Sequence, residues 1–360
     1  MKYLLILLSG IFLFTSCRNT FSNGEKTRER VDTVGYASRA WQMDSIMARI
    51  KRIQKKEYQS HLKFENMGAA KVVICPHDDY SYVGYLYPAT LSNIKAKTVL
   101  IFGVAHKAKK LNLENQLIFD SYDYWEAPYG KVRVSKMRNE IMKKLPENIY
   151  QVNDTMQAIE HSVEAIVPFL QYFNRDVQII SVLVPYMSFA RMKEISLMLS
   201  KAIDETLNGE GLKWGDDFAM VISSDAVHYG DEDWGGKNFA FFGVSCTSYV
   251  DTKAHELDIM QTIAGRITPG KIKRFTQYTV DDYDYKKYKW TWCGRYSVPL
   301  GLLTANYLKE MRDGTALRGR VIGYTSSYKN MPLPVKDLNM DVTAPAYDHH
   351  WVGYAAIRYD

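Results

Sequence analysis

The stretch Lys71-Val72-Val73-Ile74-Cys75-Pro76-His77-Asp78-Asp79-Tyr80 opens with a short apolar run and ends in a polar loop. A run with no alternation of apolar and polar residues reads as a strand buried on both faces, the kind found in parallel sheets covered on two sides. Thr98 to Phe102, Val177 to Val184 and Phe218 to Ser223 repeat the pattern. Between these runs lie amphipathic helical stretches at Ser135 to Leu145, Glu160 to Phe173, and Phe189 to Leu207. The last of them puts Met192, Ile195, Leu199 and Ile203 on one face. Upstream, Trp41 to Tyr58 carries a helical stripe of Met43, Ile46, Met47, Ile50 and Ile53, expected to pack on the sheet edge. Downstream, a helix at Val298 to Met311 precedes two late strands, Arg320 to Tyr324 and Val352 to Tyr359. Strands alternating with helices predict an α/β fold: a single domain with a largely parallel central sheet flanked by helices.

The chain has 360 residues, of which 46% are hydrophobic, and no linker or repeat interrupts residues 36–360. That span is long enough for one large core and is expected to be a single domain. Ahead of it, Lys2 and the apolar stretch Leu4 to Phe14 form a segment of about a dozen residues, too short to cross a bilayer as a helix. Residues 1–16 therefore read as an export signal. Cys17 directly after it reads as a lipobox cysteine, although Phe14 stands where Leu is usual. The expectation is a lipid on Cys17, membrane attachment and a cell-envelope location facing the periplasm or exterior; the alternative is an uncleaved signal anchor. Residues 17–35 are polar and poor in large apolar side chains, which predicts a flexible tether.

A formal charge of +6 arises from 46 Lys and Arg against 40 Asp and Glu, interspersed along the chain. With no dense basic stripe, nucleic acid is excluded as a partner. Beyond Cys17 the mature cysteines are Cys75, Cys246 and Cys293, an odd number, so at least one is expected to be unpaired or metal-bound.

The polar residues that stand out follow the predicted strands. Pro76-His77-Asp78-Asp79-Tyr80 follows the first run, Gly103-Val104-Ala105-His106 the second, and Ser224-Asp225-Ala226-Val227-His228-Tyr229-Gly230 the fourth. In open α/β sheets ligands bind beyond the carboxyl ends of the strands, so three His-bearing loops at that edge point to one site. Trp292-Cys293-Gly294-Arg295 lies just before the late helix, where a thiol is expected to have a lowered pKa. The residues alone leave Cys293 open between a ligating thiolate and a buried thiol or disulfide partner of Cys75 or Cys246. Glu160, His161 and Glu164 open a predicted helix, and either reach the crevice or serve the helix dipole. His349 and His350 are expected at the surface, and His61 and His255 in structural settings.

Taken together these motifs resemble the Memo family, also described as the B protein of the AmmeMemoRadiSam system. Its Pro-His-Ala-Gly-Tyr appears as Pro76 to Tyr80, its Gly-Pro-Ser-His as Gly103 to His106, and its Glu-His-Ser-x-Glu as Glu160 to Glu164. Ser-Ser-Asp-x-x-His-x-Gly is matched by Ser223 to Gly230, Cys-Gly-Arg by Cys293 to Arg295, and Tyr-Ala-Ala by Tyr354 to Ala356. Six ordered motifs are far more specific than any one. The resemblance implies a fold similar to class III extradiol dioxygenases and one transition metal ion held by His77, His106 and Cys293. Asp225 and His228 would stand beside it as the catalytic pair. A thiolate ligand suits iron or copper, with zinc also compatible, so ring cleavage cannot be inherited from the fold. Asp78-Asp79 departs from the family's Ala-Gly and adds two carboxylates beside a ligand. The function expected is a metal-dependent, dioxygenase-like redox protein acting on a small-molecule substrate. The competing expectations are a non-catalytic metal-binding lipoprotein or an interaction scaffold. If oxygen chemistry occurs, His228 is the expected acid/base, since imidazole titrates near neutral pH.

Overall fold

Five short strands, almost all apolar, make the centre of the molecule. The structure, a computed structural model, describes residues 24–230 and 237–360. Val132–Val134, Gln178–Val184, Thr98–Val104, Phe218–Ser223 and Val72–Cys75 lie side by side in that order, all parallel. The register sets Cys75 opposite Ser223, and Phe102 opposite Ile222. The residues two beyond Cys75 and Ser223, His77 and Asp225, therefore leave the sheet at the same level.

Because side chains alternate across a strand, these runs feed two cores. Val73, Cys75, Val99, Ile101 and Val221 pack under the helices Ala40–Ile53 and Val167–Phe173. Val72, Ile74, Leu100, Phe102, Met220 and Ile222 pack under Phe189–Gly209 and Ser297–Asp313. The second pair of helices comes very close. A Cβ on Gly301 would stand 2.7 Å from the Ile222 side chain, so only glycine permits this approach.

The expected parallel sheet is thus its central part, and the sheet extends on both sides by antiparallel pairing. His350–Tyr359 pairs antiparallel with Val72–Cys75, then Arg318–Ser326 with it, giving one 13-stranded mixed sheet among the described residues. Apolar patterning marks these late strands but carries no information on their direction. His228–Gly230 also pairs with His350–Tyr359, which buries His350 to 6% exposure rather than leaving it at the surface.

The helix expected at Trp41 to Tyr58 is two helices, Ala40–Ile53 and Lys55–His61. At their junction the buried Gln54 side chain accepts from Tyr85 N at 2.8 Å and donates to Met331 O at 2.7 Å. Glu160 to Phe173 is helical only from Val167, because Glu160 takes the backbone N–H groups of His161 and Ser162 on its own carboxylate. A side chain that captures nearby amides competes with the helix ladder, and Pro168 then favours a fresh start.

The signal segment 1–16 and Cys17 lie outside the described residues, but part of the expected tether does not. Thr27–Arg28 forms a strand parallel to Tyr124–Trp125. The Arg28 guanidinium is buried against the Glu164 carboxylate and the carbonyls of Gln157 and Glu160, with the Trp125 ring 4.3 Å away. Val31 N and Asp32 N also donate to Glu164, at 2.9 and 3.0 Å. From Lys26 onward this segment is therefore clamped to the domain rather than free. Its polarity misled the sequence reading, because a single buried ion pair does the work expected of apolar side chains.

Candidate metal centre

Three adjacent parallel strands deliver the polar loops. Val72–Cys75 leads to His77, Phe218–Ser223 to Asp225 and Thr98–Val104 to His106, with the Asp225 strand between the other two. Neighbouring strands are spaced by about 4.8 Å, so long side chains from all three meet above the sheet edge.

Each imidazole is fixed by its neighbour. His77 Nδ1 lies 2.7 Å from Ser223 Oγ, and that hydroxyl donates its own proton to Ser162 O at 2.7 Å. Ser223 Oγ must then accept from Nδ1–H, which leaves the Nε2 lone pair of His77 for a ligand. His106 Nδ1 lies 2.9 Å from Glu160 Oε1, an oxygen that can only accept when ionised. Burial pushes the Glu160 carboxyl up, but the imidazole of His106 and donors such as Ser162 N outweigh it and hold the group well below the usual range. His106 therefore also carries its proton on Nδ1 and presents Nε2.

Cys293 reaches the same place from the loop before Ser297–Asp313. Its Sγ accepts from Asp225 N at 3.1 Å and lies 3.5 Å from His77 Nε2. The following glycine is needed for this approach: a Cβ on Gly294 would stand 2.2 Å from Ser224 Oγ. Burial, then the Asp225 carboxylate, raises the Cys293 thiol well above its ordinary value. The lowering expected from the helix N-terminus is overturned, because the helix begins only at Ser297 and the sulfur is desolvated. Cys75, Cys246 and Cys293 are all free thiols, so the disulfide alternative is not realised.

Among the described residues two groups of donor atoms lie within 4.8 Å of one another: His77, Asp225 and Cys293, and His77, His106 and His161. His77 belongs to both, whereas His106 and Cys293 fall in different groups. Asp225 accepts from His77 N at 2.9 Å and places its other oxygen 3.4 Å from His77 Nε2. Sequence reasoning left His161 open; its ring stacks on His106 at 4.7 Å between centroids. The signal was its place beside Glu160, the residue that orients His106.

The other expected residues take different parts. His228 is half-buried, with burial and then the neighbouring His106 pulling it down to about 3. The expectation that it titrates near neutral pH is overturned by desolvation, and the ring is neutral there. Asp78 and Asp79 are turned toward structural partners: Asp78 accepts from Tyr354 Oη at 2.6 Å, and Asp79 accepts from Thr343 N at 2.6 Å. Burial, then Asp78, pushes Asp79 up to about 8. Glu164 serves Arg28.

A cleft of about 760 Å³ opens beside these residues, lined by His106, Lys109, Tyr186, Phe239, Tyr288 and Arg295 among others. A small pocket of about 50 Å³, lined by His106, Cys293, Arg295 and Tyr296 among others, adjoins it. The cleft is within the size range of small-molecule sites.

Comparison with known proteins finds relatives over most of the chain. The profile of the family described as Memo-like protein matches residues 36–332. A MEMO1 family protein of Pyrococcus furiosus is 24% identical over 266 residues, covering 71% of this chain and 80% of the relative. MEMO1 family proteins of Pyrobaculum aerophilum and Methanococcoides burtonii are each 28% identical, over 172 and 158 residues. Those two matches cover 46% and 43% of this chain, and only 56% and 54% of the relatives' length.

Proposed function

Because the chain belongs to the Memo-like protein family, we propose that it holds one transition metal ion on His77, His106 and Cys293, for redox chemistry on a small molecule. The observation that carries the reading is the fixed tautomer of both imidazoles. Ser223 and Glu160 hold the Nδ1 protons and leave two Nε2 lone pairs, that of His77 beside a thiol and a carboxylate. Two imidazoles with a sulfur suit iron or copper, and zinc also fits this set. When bound, the ion supplies Lewis-acid or redox chemistry to a molecule in the adjoining cleft.

This chain's own residues would do the rest. Asp225 stands against His77 and Cys293 and would take part in binding or orient solvent. His228, neutral at neutral pH, would accept a proton rather than donate one. The open cleft favours turnover over a closed, non-catalytic metal store or a scaffold. The same proposal includes a lipid on Cys17 and an envelope location, supported by the Leu4 to Phe14 export segment. Among the described residues no helix is long and apolar enough to cross a membrane.

Metal analysis of anaerobically purified protein tests the reading. Occupancy should be about one per chain, falling with a loss of thermal stability in Cys293→Ser, since an ion bound only to the folded state stabilises it. Full occupancy and unchanged stability in that variant would overturn the role of Cys293. An all-imidazole site on His77, His106 and His161 is favoured by the second donor group, and loss of metal in His161→Ala with retention in Cys293→Ser would select it. Ring cleavage is tested separately: iron-loaded protein with a panel of catechols under oxygen should consume dioxygen and form yellow products. Iron bound with neither result points to the non-catalytic reading.

A further inference from the structure

The cleft beside the donor residues contains a buried positive charge with no negative partner among the described residues. Arg295 is 4% exposed, and among the described residues no carboxylate pairs with it. Its Nη2 donates to Lys286 O at 3.2 Å, while its buried Nε has no hydrogen-bond partner. The guanidinium carbon lies 3.4 Å from the Tyr288 ring centroid and 4.7 Å from that of Tyr296. The rings and hydroxyls of Tyr288 and Tyr296 offset part of the charge, but they leave the in-plane Nε–H without an acceptor. Arginine cannot shed its proton to escape burial, so an unpaired guanidinium here costs free energy that an anion would recover.

Among the described residues, the carboxylates that line the cleft are already taken. Glu114 pairs with Lys286 at 2.6 Å, and Asp284 with Lys287 at 3.6 Å. Lys109 and Lys237, which also line the cleft, are exposed, where solvent and salt weaken their field. Among the described residues the desolvated cation of the cleft is Arg295, which matches one unit of negative charge with planar geometry. Arg295 lines both the large cleft and the small pocket that His106 and Cys293 share.

We propose that Arg295 anchors the carboxylate of a small organic acid in this cleft and so presents the other end of that molecule to the His106 and Cys293 side chains. The inference rests on the metal reading only for what happens at that other end; the anchor itself needs no metal.

Calorimetric titration of the folded chain, with and without metal, tests it using benzoate, its neutral isostere benzamide, and inorganic phosphate. Benzoate should bind both forms, with benzamide weaker by about tenfold or more, the size of one lost charged hydrogen bond. Arg295→Gln should lose about as much benzoate affinity, Arg295→Lys should keep part of it, and Lys109→Gln should change it little. Equal binding of benzoate and benzamide overturns the anchor, as does an unchanged benzoate affinity in Arg295→Gln. Tighter, Arg295-dependent binding of phosphate overturns the carboxylate assignment. Benzoate binding that disappears with the metal places the anion on the metal and also overturns the anchor. If Arg295→Gln does not fold, the wild-type preference for benzoate together with Arg295→Lys decides. Failure of the metal reading shows separately, as benzoate binding to a protein that takes up no metal.

Discussion

Glu256 accepts a hydrogen bond from Trp292 Nε1 at 2.7 Å, one residue before Cys293. The same carboxyl takes Trp290 Nε1 at 2.6 Å and Val227 N at 3.1 Å. A single buried side chain on the helix Ser248–Thr262 thus ties the Cys293 loop to the loop that carries Asp225 and His228. Burial raises this carboxyl from 4.5 to about 7, against the lowering effect of its N–H donors.

That shift fixes a pH dependence. The folded chain binds the Glu256 proton more tightly than the unfolded chain, so its stabilising contribution is full below pH 4.5 and is lost as pH rises through about 7. The loss is about 3 kcal/mol as an order of magnitude. Denaturant titrations across this window should show wild type falling relative to Glu256→Gln, whose side chain cannot ionise. Parallel curves for the two proteins would refute the assignment.

Glu160→Gln should weaken metal binding by about 10- to 100-fold, the usual effect of removing a ligand's orienting partner. The amide oxygen can take the place of Oε1 and still accept from His106 Nδ1–H, His161 N and Ser162 N, but the NH2 group would then face His106 N, which now donates to Oε2. Chelator competition measures the affinity. An unchanged value would mean that the bond between His106 and Glu160 does not orient a ligand.

Arg28→Ala should destabilise the domain by about 3–5 kcal/mol, because it leaves the buried Glu164 carboxylate without its cation. Glu164→Ala should cost a similar amount, and the double variant clearly less than the sum. Chemical denaturation of the four proteins checks this, and additive losses would show that the pair is not coupled.

The contrast between Arg28 and His77 shows what the sequence could disclose. Apolar runs such as Val72 to Cys75 announced both the central strands and the loops that follow them, so the meeting of His77, Asp225 and His106 was legible from loops at one sheet edge, while the strand order was not. Arg28 was not, because a polar segment docked by one charge pair has the composition of a loose one. Protonation was hidden as well. Cys293 and His228 carry their expected identities in unexpected states, since burial is a property of the assembled core and not of local sequence. His161 was visible as a residue but not as a donor, because its stacking on His106 depends on a helix starting seven residues after Glu160 rather than at it.

Cys17→Ser should move the protein from the membrane to the soluble fraction, as the proposed lipid attaches there. Fractionation and mass analysis of the mature N-terminus check it. A variant that still partitions with membranes, from a chain whose native N-terminus is unprocessed, would exclude the lipobox.

The Arg28 clamp also sets a ceiling on altitude. With a lipid on Cys17, only about ten residues separate the bilayer from the first residue fixed in the sheet, at most about 35 Å of fully extended chain. A leash of that length would keep the domain within a shallow shell over the lipid headgroups.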